Sequence, residues 1–165
     1  MRVPESITKK IPWMVSLLFI LLFVYAAVSK LIDHPKFYND LINSFVFDNQ
    51  FISKIISWVI PVLELVTALL LVIPKFNKMG LYMALVLMIG FTLYIGITLL
   101  ITEFGIADLP CSCGGILSHL SWPHHLLFNT FFVLLGIMGI YPWTNKNKHI
   151  KSRNLKRDEK NIIAR

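Results

Sequence analysis

The sequence predicts an all-α membrane protein, an antiparallel four-transmembrane-helix bundle with a short interfacial helix between the first two spans. Two observations carry that expectation. Apolar residues come in blocks long enough to cross hydrocarbon, and charged residues gather at the chain ends and in the connections between blocks. The 165 residues are 56% hydrophobic and 15% charged, with a mean hydropathy of +0.67, whereas soluble domains run at roughly 45–50% apolar. A water-soluble core is excluded on those terms. The net charge of +7 would suit nucleic acid, but eight of the sixteen Lys and Arg residues lie between Lys146 and Arg165, after the last apolar block. Basic residues beside spans mark the cytoplasmic side and are attracted to anionic headgroups, so the excess reads as topology, with a lipid bilayer as partner and no nucleic acid.

The first span is expected over about 11–29, behind Arg2, Lys9 and Lys10. Its apolar block, Ile11 to Val28, exceeds the usual 7–15 residues of a secretory h-region, so it is read as a retained helix. Pro35 opens the next segment, where Phe37, Tyr38, Leu41, Ile42, Phe45 and Val46 recur at a spacing of three and four, with Asp33, Lys36, Asn39, Asp40 and Asn43 as the polar side. Such a segment lies flat on the outer surface. The second span, about 52–73, stops at Pro74 and a short basic turn with Lys75 and Lys78; the third, about 80–101, leads into a loop, Thr102 to His124, that holds Glu103 and Asp108 but no Lys or Arg. The fourth, about 125–142, ends beside Tyr141 and Trp143, suited to the headgroup level. Thirteen of the sixteen basic residues then fall on the cytoplasmic side. The expectation is a bacterial inner-membrane protein with both termini cytoplasmic and the 102–124 loop periplasmic, divided into a membrane domain over 1–143 and a basic tail over 144–165.

That loop carries the only two cysteines, in Leu109-Pro110-Cys111-Ser112-Cys113-Gly114-Gly115. Bridged Cα atoms lie 4.4–6.8 Å apart in general, and an extended i, i+2 pair sits near that limit, so the backbone must turn between Pro110 and the two glycines. A ring this small closes almost no chain and gains little as a staple, while strained disulfides are the labile, oxidising ones. Cys111 and Cys113 are therefore the expected catalytic pair of a thiol-disulfide oxidoreductase. The competing readings are a silent pair, or a metal site of Cys111, Cys113 and His119, whose spacing matches no common zinc module.

Other residues stand out against the apolar background. Glu64 falls near mid-bilayer in the second span, where a carboxylate is either protonated or paired within the bundle, a functional group or a structural hydrogen bond between helices. Pro61, one turn earlier, can open a small polar pocket. Lys30 ends the first span and is expected to snorkel to the outer headgroups, with Glu64 or a bound headgroup-like ligand as its other reach. His124 and His125 open the fourth span, placed for proton transfer during exchange though equally suited to plain solvation. Asn129 shares the inward face of His125, and Trp122 reads as an interfacial anchor.

Ser29-Lys30-Leu31, Pro61 with Glu64 and Leu65, Cys111-Ser112-Cys113-Gly114, Leu120-Ser121-Trp122 and Asn129 together resemble the MauE branch of the DoxX-like membrane proteins, over about residues 11–143. Phe128 stands where that family would have Arg, and Ser29 where Gly is common, so no role is transferred to a basic residue at 128. The resemblance implies a redox-associated four-helix protein, similar in general design to the DsbB and VKOR bundles, that works with an extracytoplasmic thioredoxin-like or other thiol partner.

The expected function is exchange of electrons, in a direction the residues leave open, between that partner and an acceptor in or on the membrane through the CxC pair, a quinone being the natural candidate cofactor. Systems of the DsbB kind use two cysteine pairs and this chain has one, so a relay in steps would need a second pair from a partner. The alternatives are a non-catalytic subunit or assembly factor of a larger membrane complex, and Cys/His metal handling. Gly90, Gly96, Gly136 and Gly139 offer close helix approach to a scaffold, though packing within the bundle explains them equally well.

Overall fold

A computed structural model describes residues 5–43, 49–101 and 123–141. It contains α1 (Glu5–Ile32), α2 (His34–Ile42), α3 (Gln50–Val72), α4 (Asn77–Ile101) and α5 (Pro123–Tyr141). Among the described residues there is no strand. Four of these helices are long and apolar enough to cross a membrane: Ile11–Ile32 within α1, α3, Asn77–Leu100 within α4, and α5. The short α2 occupies the place expected of the interfacial helix.

Local sequence explains the boundaries. At the start of α3 the Asn49 side chain accepts hydrogen bonds from the backbone N–H groups of Phe51 and Ile52, at 2.9 and 3.4 Å, covering two of the donors that a helix start leaves open. Pro35 sits in the first turn of α2, where its missing N–H costs nothing. Pro74 stops α3 by disfavouring the helical region at Ile73, which is extended at ψ 114°.

The four spans form a ring in which α1 packs on α3, α3 on α4, and α5 fills the groove between α1 and α4. Two glycines let α5 in. A Cβ added at Gly136 would lie 3.1 Å from Leu85 and 3.4 Å from Phe19, and one at Gly139 would lie 3.0 Å from Val15. Phe19, Phe23 and Phe132 fill the centre, with Phe19 meeting Phe132 edge-on at 5.5 Å. Gly90 and Gly96 do not serve this purpose, since an added Cβ there meets no atom within 4 Å.

A polar clasp locks the α3–α4 end of the bundle. Asn77 Nδ2 donates to Ser16 Oγ at 2.9 Å and to the Leu71 carbonyl at 2.8 Å, and Ser16 donates onward to the Pro12 carbonyl at 2.7 Å. One amide thus joins α1 to the last turn of α3, whose carbonyls lack helical partners. At the other end α2 turns Phe37 and Leu41 inward as its periodicity requires, but Asp40 goes with them and is buried, contrary to its expected place on the polar side. Asp40 follows Phe37 by three residues and precedes Leu41 by one, so a helix that buries both carries it inward. Burial raises its carboxyl above the ordinary 3.8, Lys36 opposes the rise and Asp33 adds to it.

Candidate functional site

Lys30 and Glu64 meet inside the bundle. Lys30 Nζ lies 2.7 Å from Glu64 Oε1, and the two residues are 4% and 0% exposed. This corrects the snorkelling expected of Lys30. A helix tilts every Cα–Cβ bond toward its N-terminus, and Lys30 sits at the C-terminal end of α1, so its stem starts inward, back along the helix. The ammonium accordingly also donates to the Ala26 carbonyl at 3.5 Å. The rings of Phe91 and Phe37 flank it, with centroids 5.6 and 5.8 Å away. Glu64 is thus a paired carboxylate. A charged pair at this distance is in the strong, charge-assisted range, which helps to offset the cost of taking both ions out of water.

The pair lines a cavity of about 380 Å³ walled by α1, α2, α3, α4 and α5. His125 and Asn129, one turn apart on α5, contribute to it and are 2% and 5% exposed. Four of the residues singled out in the sequence are therefore brought together: Lys30, Glu64, His125 and Asn129. His124, beside His125, is exposed instead. Pro61 is fully buried, but the α3 residues that line the cavity are Ile60 and Glu64. Cys111, Cys113, His119 and Trp122 lie outside the described residues, and with them the metal alternative. Among the described residues no three His, Cys, Asp or Glu side chains are grouped to hold a metal ion.

Several lining residues were not read as site residues from the sequence. Phe91, Tyr94 and Gly90 of α4 and Phe128 of α5 all face the cavity. α4 is apolar on every side, so nothing in its pattern tells a cavity wall from a lipid face. Phe128 occupies the position at which the resemblance would place Arg, so the cavity has an apolar ring there.

Four apolar spans closed round a buried ion pair define a multi-pass membrane protein with an intramembrane polar site. Residues 8–142 match the family model described as methylamine utilisation protein MauE, and the chain belongs to that family. No curated protein and no solved structure matches it.

Proposed function

We propose that the protein is a membrane thiol-disulfide exchange protein in which Cys111 and Cys113 take electrons from an extracytoplasmic thiol protein, thioredoxin-like in kind, and pass them to an acceptor in the membrane. The observation that supports this reading most is the placement of the polar cavity. Lys30 lies in the last turn of α1 and His125 in the first turn of α5. The cavity therefore runs from mid-span toward the bundle end at which α4 stops and α5 begins, and the segment joining those two helices in sequence carries both cysteines.

In this reading both termini are in the cytoplasm of a bacterial cell and the cysteine loop is in the periplasm, as the basic residues direct. The chemistry is two-electron exchange. A partner dithiol reduces the Cys111–Cys113 disulfide through a mixed disulfide, and the regenerated dithiol is reoxidised by the acceptor as two S–H bonds break and one S–S bond forms. The family's description ties it to methylamine utilisation, and a protein of that process is the first client to test.

Trapping thiols with acid and a mass-tagging alkylator in native membranes tests the proposal. The pair is expected mostly oxidised, converted to dithiol by mild reductant, and reoxidised once the reductant is removed. Thiols that stay free in oxidising medium, or a Cys111→Ser/Cys113→Ser variant that retains full biological function, would return the protein to the assembly-factor class.

A further inference from the structure

We infer that the cavity beside Lys30 and Glu64 is a binding site for a membrane-borne quinone, entered sideways from the bilayer; this rests on the thiol-exchange reading and gives its acceptor a place. The volume of about 380 Å³ falls within the ~300–1,000 Å³ of small-molecule sites, which are mostly apolar with a few convergent polar groups. The polar groups are set toward one end. Leu22 lies two turns inward of Lys30 on α1, and Val86 two turns inward of Tyr94 on α4, and all four line the same space. A guest with a polar head and an apolar body fits that polarity along the bundle axis.

The entrance is also visible. Val86 lines the cavity yet is 67% exposed, and Gly90, one turn further along α4, is a lining residue where an added Cβ would meet nothing within 4 Å. In a helix that crosses a membrane, an exposed flank faces lipid. The cavity therefore opens beside α4 onto the hydrocarbon.

Charge decides the kind of head. Lys30 and Glu64 already balance one another at 2.7 Å, so an anionic headgroup would crowd Glu64 and a cationic one Lys30, at high cost in a low dielectric. A neutral head with hydrogen-bonding oxygens meets neither penalty. An ammonium has three N–H donors, and among the described residues Lys30 directs its hydrogen bonds to two acceptors, Glu64 and Ala26. The third N–H and the Asn129 amide can both donate to a quinone carbonyl. After reduction, the hydroxyls of the quinol find acceptors in Glu64 and the Asn129 carbonyl. Both redox forms thus have partners here, and the exchange balances: two thiols lose two electrons and two protons as their S–S bond forms, and the two quinone oxygens gain them as O–H.

Thermal unfolding of the purified full chain in detergent, titrated with decylubiquinone, tests the site. We expect a saturable rise in melting temperature that is unchanged in Cys111→Ser/Cys113→Ser and weakened at least tenfold in midpoint by Gly90→Phe, which fills the entrance. Val86→Trp, at the lipid-facing rim, provides a second block should Gly90→Phe not fold, and an azidoquinone photolabel should map to α1, α4 or α5. No saturable rise, equal binding by the blocked variants, or a rise produced only by oleate or phosphatidylglycerol overturns the site. Oxidation of the reduced cysteines by quinone in a blocked variant, at the wild-type rate, also overturns the site but leaves thiol exchange standing. Quinone bound in the cavity with the reduced cysteines left untouched sustains the site and removes the exchange reading.

Discussion

Lys30 and Glu64 hold opposite charges in a setting that would not tolerate either alone. Removing one partner of a buried pair costs about 3–5 kcal/mol, because the other is left as an uncompensated ion, whereas replacing both by apolar residues is often neutral. Lys30→Met should therefore lower the melting temperature in detergent sharply, and Lys30→Met/Glu64→Leu should recover most of the loss. A double variant destabilised by the sum of the Lys30→Met and Glu64→Leu losses would show that the two side chains act independently. Asp40 presents the reverse case, a buried carboxyl held above its ordinary 3.8 mainly by desolvation. A raised folded-state value means that stability is fully present below the unfolded value and is lost as pH rises through the folded one. Asp40→Asn should accordingly melt higher than the wild type at pH 7, with the gap closing on acidification and vanishing below 3.8. A gap constant with pH would assign the effect to shape alone.

At the scale of elements, glycine sorts the helix faces. A Cβ at Gly80 would sit 2.9 Å from the Leu71 backbone nitrogen, and one at Gly139 would sit 3.0 Å from Val15 Cγ1. Backbone yields less readily than a side-chain tip. Gly80→Ala should therefore cost more than Gly139→Ala, within the ~1–3 kcal/mol typical of overpacking. Gly96→Ala, whose new methyl meets open space, should be neutral or gain up to about 1 kcal/mol from helix propensity. Melting the three variants in one detergent checks the order, and a destabilised Gly96→Ala would reveal a neighbour on that face. The helices also differ in how they close. α3 begins on an Asn49 cap and has its Leu71 carbonyl covered by Asn77, so its ends are held by polar side chains at both interfaces.

At the scale of the whole molecule, charge carries the proposed orientation. Thirteen of sixteen Lys and Arg residues fall before the first span, in the Pro74–Lys78 turn or in the tail after Tyr141. The bias is large for a small protein, and under the positive-inside rule it is the basis for the orientation proposed above, with both termini in and the cysteine loop out. Cys111, in a Cys113→Ser background, should react with a membrane-impermeant maleimide in intact reduced spheroplasts. Asn147→Cys, in a variant with Cys111 and Cys113 both replaced by Ser, should react only after permeabilisation. The opposite pattern would invert the molecule and put the cysteines in a reducing compartment, where the exchange proposed for them has no oxidised partner.

The number of spans, the short helix between the first two and the odd carboxylate at Glu64 were all legible in the chain. Each is a one-dimensional signal: block length, a spacing of three and four, and a charge amid apolar residues. What the chain could not display is which way each span faces. In lipid an outward surface is as apolar as the core, so Leu21 and Phe23 look alike although Leu21 is 62% exposed and Phe23 1%. Rotation of α1 decides whether Lys30 finds Glu64, and rotation of α2 decides that Asp40 is buried. The Ser16–Asn77 clasp spans 61 residues of sequence and carries no local mark. Sequence alone established that this is a four-span membrane protein with a carboxylate where none is comfortable. Tertiary structure decided among the reaches open to Lys30, pairing it with that carboxylate, and supplied the cavity around them, because partners on different helices are chosen by packing in three dimensions.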